Sequence, residues 1–407
     1  MIDRTFAREL VARFGSPLFA YDLEEVAQKA RTLFSVLPAG AKIYYSFKAN
    51  PLPAIADAAR RAGCRGEISS LGELQAAQDA GFTQEQLLFG GPGKTDEEIA
   101  TMLDEDITRF SCESLTDLRR VHTAAEELHN PAQVLLRINP TTAPKAGLAM
   151  TGVESQFGFE EELLLRQADE IKALTDRINL IGAHVYFGTQ ISPDSLVATT
   201  RAALETAERI SKALGFTCRV VNAGGGFPWP YASAEAGPDL SRLAADYTAL
   251  LAKSEFARSV ELWFESGRYL AAASGTLLAT VLDVKESKGG KKYVILDTGI
   301  NHLGGMSGLG RIPRPFVALT PLADDAAGEL ETVDVVGPLC SPLDSLGRNL
   351  KLPRLQPGDL VAVPNVGAYG LSASLTHFLS RPPAKEITYR GHHVVQSFQL
   401  RSGHQKI

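Results

Sequence analysis

CRVVNAGGGF (218–227) is a short β-branched run closing on three consecutive glycines, and its place in a repeating pattern decides the fold. Upstream, the same kind of run recurs at INLIGAHVYFG (178–188), QVLLRINP (133–140), ITRFSC (107–112), QLLFGGP (86–92), RGEISS (65–70) and IYYSFKA (43–49). Downstream it appears once more, at ELWFESGRY (261–269). Between the runs lie PAIADAARRAG (53–63), LGELQAAQDAG (71–81), KTDEEIATMLD (94–104) and SLTDLRRVHTAAEEL (114–128), with apolar residues recurring at three and four. That spacing puts them on one face of a helix, and Gly63, Gly81 and Pro131 punctuate the ends. Eight strands alternating with helices predict an α/β chain folded as a closed (β/α)8 TIM barrel, with an open doubly wound sheet as the alternative. LEEVAQKARTLFSVL (23–37) precedes the first strand and supplies the eighth helix.

Beyond residue 270 the texture changes to GTLLATVLDVKES, KKYVILDTGI, VALTPL, ETVDVVGPLC, DLVAVPNVG and AKEITYRGHHVVQSF, strand-like segments divided by Gly, Pro and Asp. The expected division is a barrel over 23–270 and an all-β domain over 271–407, with a boundary near Ala271–Ser274. The early run PLFAYD (17–22) reads as a strand that could join the second domain, so residues 1–22 are grouped with it.

Composition limits the function classes. The 407 residues are 44% apolar and 22% charged, ordinary for a globular protein with a large core. The 41 basic residues against 47 acidic ones give a net charge of -6, so no basic surplus exists to grip nucleic acid or an anionic membrane. No long apolar block reads as a signal peptide or a membrane span. Cys64, Cys112, Cys218 and Cys340 are scattered, without metal-ligand spacing or disulfide density. A cytoplasmic globular enzyme that binds neither nucleic acid nor membrane is the expectation.

Active sites of such barrels lie at the C-terminal ends of the strands. The first strand ends at Lys48, where desolvation would make the amine a competent nucleophile; the bland reading is a surface lysine. The seventh ends at Gly224-Gly225-Gly226, which lets backbone N–H groups approach an anion. The eighth ends at Glu265-Ser266-Gly267-Arg268, placing an arginine beside the same mouth. Phosphate sites in these barrels are built after strands seven and eight. A mouth lysine, a phosphate cradle and a carboxylate together suit pyridoxal 5'-phosphate, with Glu265 paired to the ring nitrogen. The bland alternative for Glu265 is an ion pair with Arg268.

These residues resemble the fold type III pyridoxal phosphate-dependent decarboxylases, the diaminopimelate and ornithine decarboxylase family, from about Phe14 to Pro382. FGSPLFAYD, YYSFKAN, GAHVYFGTQ, NAGGGF, FESGR, GPLCSPLD and GAYG occur in the family's order. The resemblance implies an alanine racemase-like barrel with a C-terminal β-sandwich and a head-to-tail homodimer with shared active sites. It also implies Lys48 as the Schiff-base lysine, Cys340 as proton donor, and Tyr369, Gly267 and Arg268 at the cofactor.

Departures from the family pattern bear on the substrate. Tyr186 stands where most relatives have a histidine against the ring; His184 lies two residues earlier, on the same face by strand alternation. Thr189 replaces a serine and keeps the hydroxyl for the phosphate. Ser341 follows Cys340 where diamine-type relatives carry an acid that holds a distal ammonium. Gln156 replaces a lysine that pairs with the aspartate matching Asp344, so Asp344 needs another partner or is freer to face a substrate. With KAGLAMTG and SQFGF, the pattern is most similar to a secondary-metabolism branch acting on carrier-protein-tethered or siderophore-type substrates. INHLGGMSGLGRIPRP (300–315) falls at the family's specificity element, and His302, Arg311 and Arg314 suit a carboxylate or a phosphopantetheine-bearing substrate. A Gly-rich loop with solvated arginines is the bland reading. The expected activity is decarboxylation at Cα; the alternatives are diaminopimelate decarboxylation on free substrate, amino-acid racemisation on the same fold, or a pyridoxal phosphate-binding protein without turnover.

Overall fold

The computed structural model describes residues 2–140, 148–149, 154–303, 317–322 and 329–401. Eight parallel strands close into a barrel: Lys42–Ser46, Arg65–Ile68, Leu87–Phe89, Arg109–Cys112, Ala132–Asn139, Ile178–His184, Val220–Asn222 and Glu261–Ser266. Closure comes where the eighth strand pairs with the first, Glu265 opposite Tyr44, so the alternative of an open sheet is excluded. The helix ahead of the first strand spans Leu23–Val36. Inside, Tyr44, Leu88, Leu135, Ile181, Val220 and Trp263 form one buried cluster; burying each such side chain contributes about 1.5–3 kcal/mol.

Helix starts at the mouth follow from local chemistry. Ser70 and Ser114 accept the N–H of Glu73 and Asp117, and Thr95 forms a capping box with Glu98. These caps satisfy N–H groups that would otherwise be orphaned in the first turn. The barrel unit comprises Ala27–Pro228 and Pro238–Leu270.

The second compact unit comprises Met1–Val26, Trp229–Gly237 and Ala271–Ile407. Its mixed sheet is organised around the long strand Gly275–Glu286, which pairs with Leu18–Asp22, Leu360–Val363 and Lys292–Leu296 and shifts register between Val281 and Asp283. PLFAYD thus forms a strand of this sheet, also pairing with Lys385–Arg390. Two features differ from the sequence reading. Residues Arg4–Phe14 form a helix, capped by Asp3, that packs Phe6, Ala7 and Leu10 against Leu278, Ala362 and Ile387. Ser345–Pro353 is a strand although its sequence, SLGRNLKLP, shows no clean alternation; pairing with Leu330–Val336 compensates for weak local preference.

Candidate active site

Lys48 sits in a single 3-10 turn, Phe47–Ala49, directly after the first barrel strand. Its Nζ lies 3.0 Å from Glu67 Oε1 and 3.3 Å from Oε2. Glu67, in the second strand, is buried, whereas the lysine side chain is half exposed. The amine is therefore paired to a buried carboxylate while its side chain stays half exposed. Glu67 was absent from the sequence reading, because a glutamate inside RGEISS carries no signal without its spatial partner. Close by, burial and the charge of Glu67 push the Glu73 carboxyl up to about 7, despite a hydrogen bond accepted from Ser69 N.

Glu265 and the glycine loop are joined. Asn222 Nδ2 donates to Glu265 Oε1 at 2.8 Å, Gly224 N donates to Asn222 Oδ1 at 2.9 Å, and Glu265 N donates to Gly224 O at 2.7 Å. The glycines are required sterically. A Cβ on Gly225 would stand 1.9 Å from Glu265 O; Gly224 and Gly226 also have φ of +67° and +89°, which L side chains rarely adopt. Ile191 N donates to Gly226 O, tying in the loop that carries Thr189, itself in a two-residue strand paired with Leu148–Ala149. Gly267 has Ala49 and Ser46 where a side chain would go, and Arg268 opens the following helical turn, half-buried.

His184 is fully buried, its Nδ1 2.8 Å from Ser111 Oγ and its Nε2 3.4 Å from Glu265 Oε1. Burial first, and the charge of Arg137 next, hold its pKa well below the ordinary imidazole range, so it is neutral. Strand six ends at His184, so alternation does not extend to Tyr186; that half-buried ring instead lies against Gly224. Arg137, a further residue the sequence reading missed, is paired with Glu113 at 2.7 Å and covers the Phe157 ring, while Glu113 Oε2 accepts Gly158 N. This buried pair anchors the SQFGF segment, in which Gln156 is exposed.

The remaining expected residues belong to the second unit. Cys340 is exposed and Ser341 half-buried. Asp344 is buried and accepts Ile300 N and Leu339 N, both at 2.8 Å. Gly299 and Gly337 press on the same carboxylate. Asp344 thus found its partners in backbone amides, and it braces the Cys340 loop rather than facing outward. Tyr369 is held at φ +56°, a left-handed conformation uncommon for a bulky residue. His302 is not a free cation: it is buried, bonded to Thr298 and Ala384 N, and desolvation lowers its pKa to about 4. Its expected part in recognising a carboxylate is corrected accordingly. Arg311 and Arg314 lie outside the described residues.

A glycine cradle at the mouth, a lysine and a buried carboxylate form the donor set that a phosphorylated aldehyde requires. Residues 23–272 match the family model described as "Pyridoxal-dependent decarboxylase, pyridoxal binding domain". The chain belongs to this family of pyridoxal-dependent decarboxylases. It is 36% identical to the L-glutamyl-[BtrI acyl-carrier protein] decarboxylase of Niallia circulans, over 96% of this chain and 92% of that one. It is 32% identical to a diaminopimelate decarboxylase of Archaeoglobus fulgidus, over 94% and 90% of the two chains. Among solved structures, a mutant of Helicobacter pylori diaminopimelate decarboxylase complexed with L-lysine matches with a TM-score of 0.85 at 27% identity, covering 97% of this chain and 96% of that one. As a member of the family the protein is a carboxy-lyase acting on an amino acid, on a barrel joined to a separate mixed sheet. No helix among the described residues is long and apolar enough to cross a membrane.

Proposed function

We propose that this decarboxylase acts on an amino acid tethered to an acyl carrier protein, with pyridoxal 5'-phosphate held at the barrel mouth. The observation that carries the reading is the 36% identity, over nearly the full length of both chains, to a carrier-protein glutamyl decarboxylase. Ser341 supports it: the position after Cys340 offers a hydroxyl and no carboxylate for a distal ammonium.

Pyridoxal phosphate, when bound, supplies an aldehyde that captures the substrate amine and a ring that stores the electron pair left when carbon dioxide departs. Lys48 would tether the group through its amine, with Glu67 orienting the side chain. Gly224, Gly225 and Gly226 would cradle the phosphate by backbone N–H groups, joined by Thr189, Gly267, Arg268 and Tyr369. Glu265 would accept the ring N–H, and His184 and Tyr186 would border the ring. His184, being neutral, adds no positive charge to compete with that proton. Cys340 would hand its Sγ proton to Cα after the carboxylate leaves.

The catalytic unit in this reading is a homodimer, the Cys340 loop of one copy completing the site of the other. Cys340 is exposed, and the same unit leaves Leu343, Leu375, Phe378 and Leu379 each at least 40% exposed, which supports an interface on that unit. A cytoplasmic location accords with four scattered cysteines, of which Cys64, Cys112 and Cys218 are buried apart from one another.

Carbon dioxide release across a panel tests the substrate. Carrier-bound glutamyl thioester should turn over well above free glutamate, ornithine, lysine and diaminopimelate. Strong turnover of free diaminopimelate with none of the thioester would replace this reading with diaminopimelate decarboxylation. Solvent exchange at Cα without carbon dioxide release would point to a racemase instead.

A further inference from the structure

We propose that Asn222 is a positioning residue, whose side-chain amide locks the Glu265 carboxylate to the glycine loop and so sets the spacing between the two anchoring ends of the cofactor site. The inference rests on the proposed placement of pyridoxal phosphate and goes beyond it.

Asn222 is the last residue of the seventh barrel strand and is fully buried. A backbone N–H can only donate, so Gly224 N fixes the oxygen of the amide on its own side. The amide nitrogen is thereby forced toward Glu265, where it donates to Oε1. The orientation follows from the chain itself and needs no assumption about the amide. The backbone of Asn222 is held as well, since its carbonyl accepts Val185 N. Beyond Oε1 stands His184 Nε2, itself buried and without a hydrogen-bond partner. Its ring is backed by Ser111.

Oε1 is therefore committed to the protein, which leaves Oε2 as the oxygen that serves a ring nitrogen. The same amide holds the first glycine of the phosphate loop, so carboxylate and cradle move together. A neutral amide suits this place. It donates to a buried carboxylate without adding charge, where a cation would neutralise Glu265 and a carboxylate would repel it.

The test uses the full-length protein and pyridoxal phosphate carrying an isotope label at the ring nitrogen. Two readouts are taken, the Kd of the cofactor-free protein for pyridoxal phosphate and the ring-nitrogen resonance across the neutral pH range. Asn222→Ala should weaken binding about tenfold or more and move the resonance toward the unprotonated form. Asn222→Asp keeps the acceptor for Gly224 but loses the donor to Glu265, so its Kd should rise less than that of Asn222→Ala. It also opposes Glu265 with a second carboxylate; two such groups at hydrogen-bond distance cannot both ionise, so the resonance should gain a titration that wild type lacks. Wild-type Kd and resonance in Asn222→Ala would overturn the proposal. If that variant does not fold, an unchanged resonance in Asn222→Asp overturns it instead. A wild-type protein that takes up no pyridoxal phosphate would refute the underlying placement, and this inference with it.

Discussion

Lys48 Nζ and Glu67 Oε1, 3.0 Å apart, join the ends of two neighbouring barrel strands through one charge-assisted hydrogen bond. The half-exposed lysine is oriented by a buried carboxylate, so the amine meets its ligand from a fixed direction. Glu67→Gln keeps the shape and removes the charge. Turnover should fall about tenfold, and the Glu73 carboxyl should titrate below its present value of about 7, because one of the charges raising it has gone. Carboxyl titration by NMR reads the second effect directly. A Glu73 still titrating at about 7 would refute the coupling.

Gly225→Ala should abolish cofactor binding. The added Cβ meets the Glu265 carbonyl oxygen at 1.9 Å, and a backbone carbonyl cannot yield cheaply. Strands seven and eight would be pushed apart at the site, with a stability loss of about 1–3 kcal/mol. Equilibrium dialysis with pyridoxal phosphate checks it, and wild-type affinity in the Gly225→Ala protein would contradict the role given to the loop.

Mixing Lys48→Ala with Cys340→Ala protein should restore activity. If sites are shared across a two-fold dimer, random re-association makes half the dimers mixed, each with one intact site, so about a quarter of wild-type activity returns. Two inactive parents that stay inactive after mixing, despite exchange of subunits, would show that Cys340 serves its own chain.

Glu386 makes a prediction about stability and pH. The carboxyl is buried and accepts the Tyr21 hydroxyl at 2.8 Å; burial raises its pKa from 4.5 to about 7. The folded state then binds more protons than the unfolded state between those values. Its stability is greatest on the acid side and declines as pH rises from 4.5 through about 7. Glu386→Gln keeps an acceptor for Tyr21 and should remove that decline, a gain of up to about 3 kcal/mol at mildly alkaline pH and little at pH near 4.5. Urea melts at the two pH values measure it, and an equal change at both would refute the assignment.

Much of the fold was legible because it is local. Eight β-branched runs and the helices between them carry their periodicity in a few adjacent residues, and each of the eight barrel strands matches one of those runs to within a residue at its start or lies inside it. The helix Arg4–Phe14 and the strand Ser345–Pro353 escaped notice because each is stabilised by the surface it packs on. The pattern of RTFARELVARF becomes informative once Leu278 and Ile387 are known to lie beneath it.

Read as a string, the chain already contained the order of its elements, the triple glycine that only a close backbone approach explains, and the family to which the motifs belong. How the buried polar groups pair emerged only in three dimensions. Glu67 faces Lys48 across 19 residues, Asn222 meets Glu265 across 43, and Asp344 reaches Ile300 N across 44. The burial that holds His184 and His302 neutral emerged in the same way. The reason is physical: strand and helix periods are set by neighbours along the chain, whereas a buried charge must find its partner wherever closure of the fold brings one.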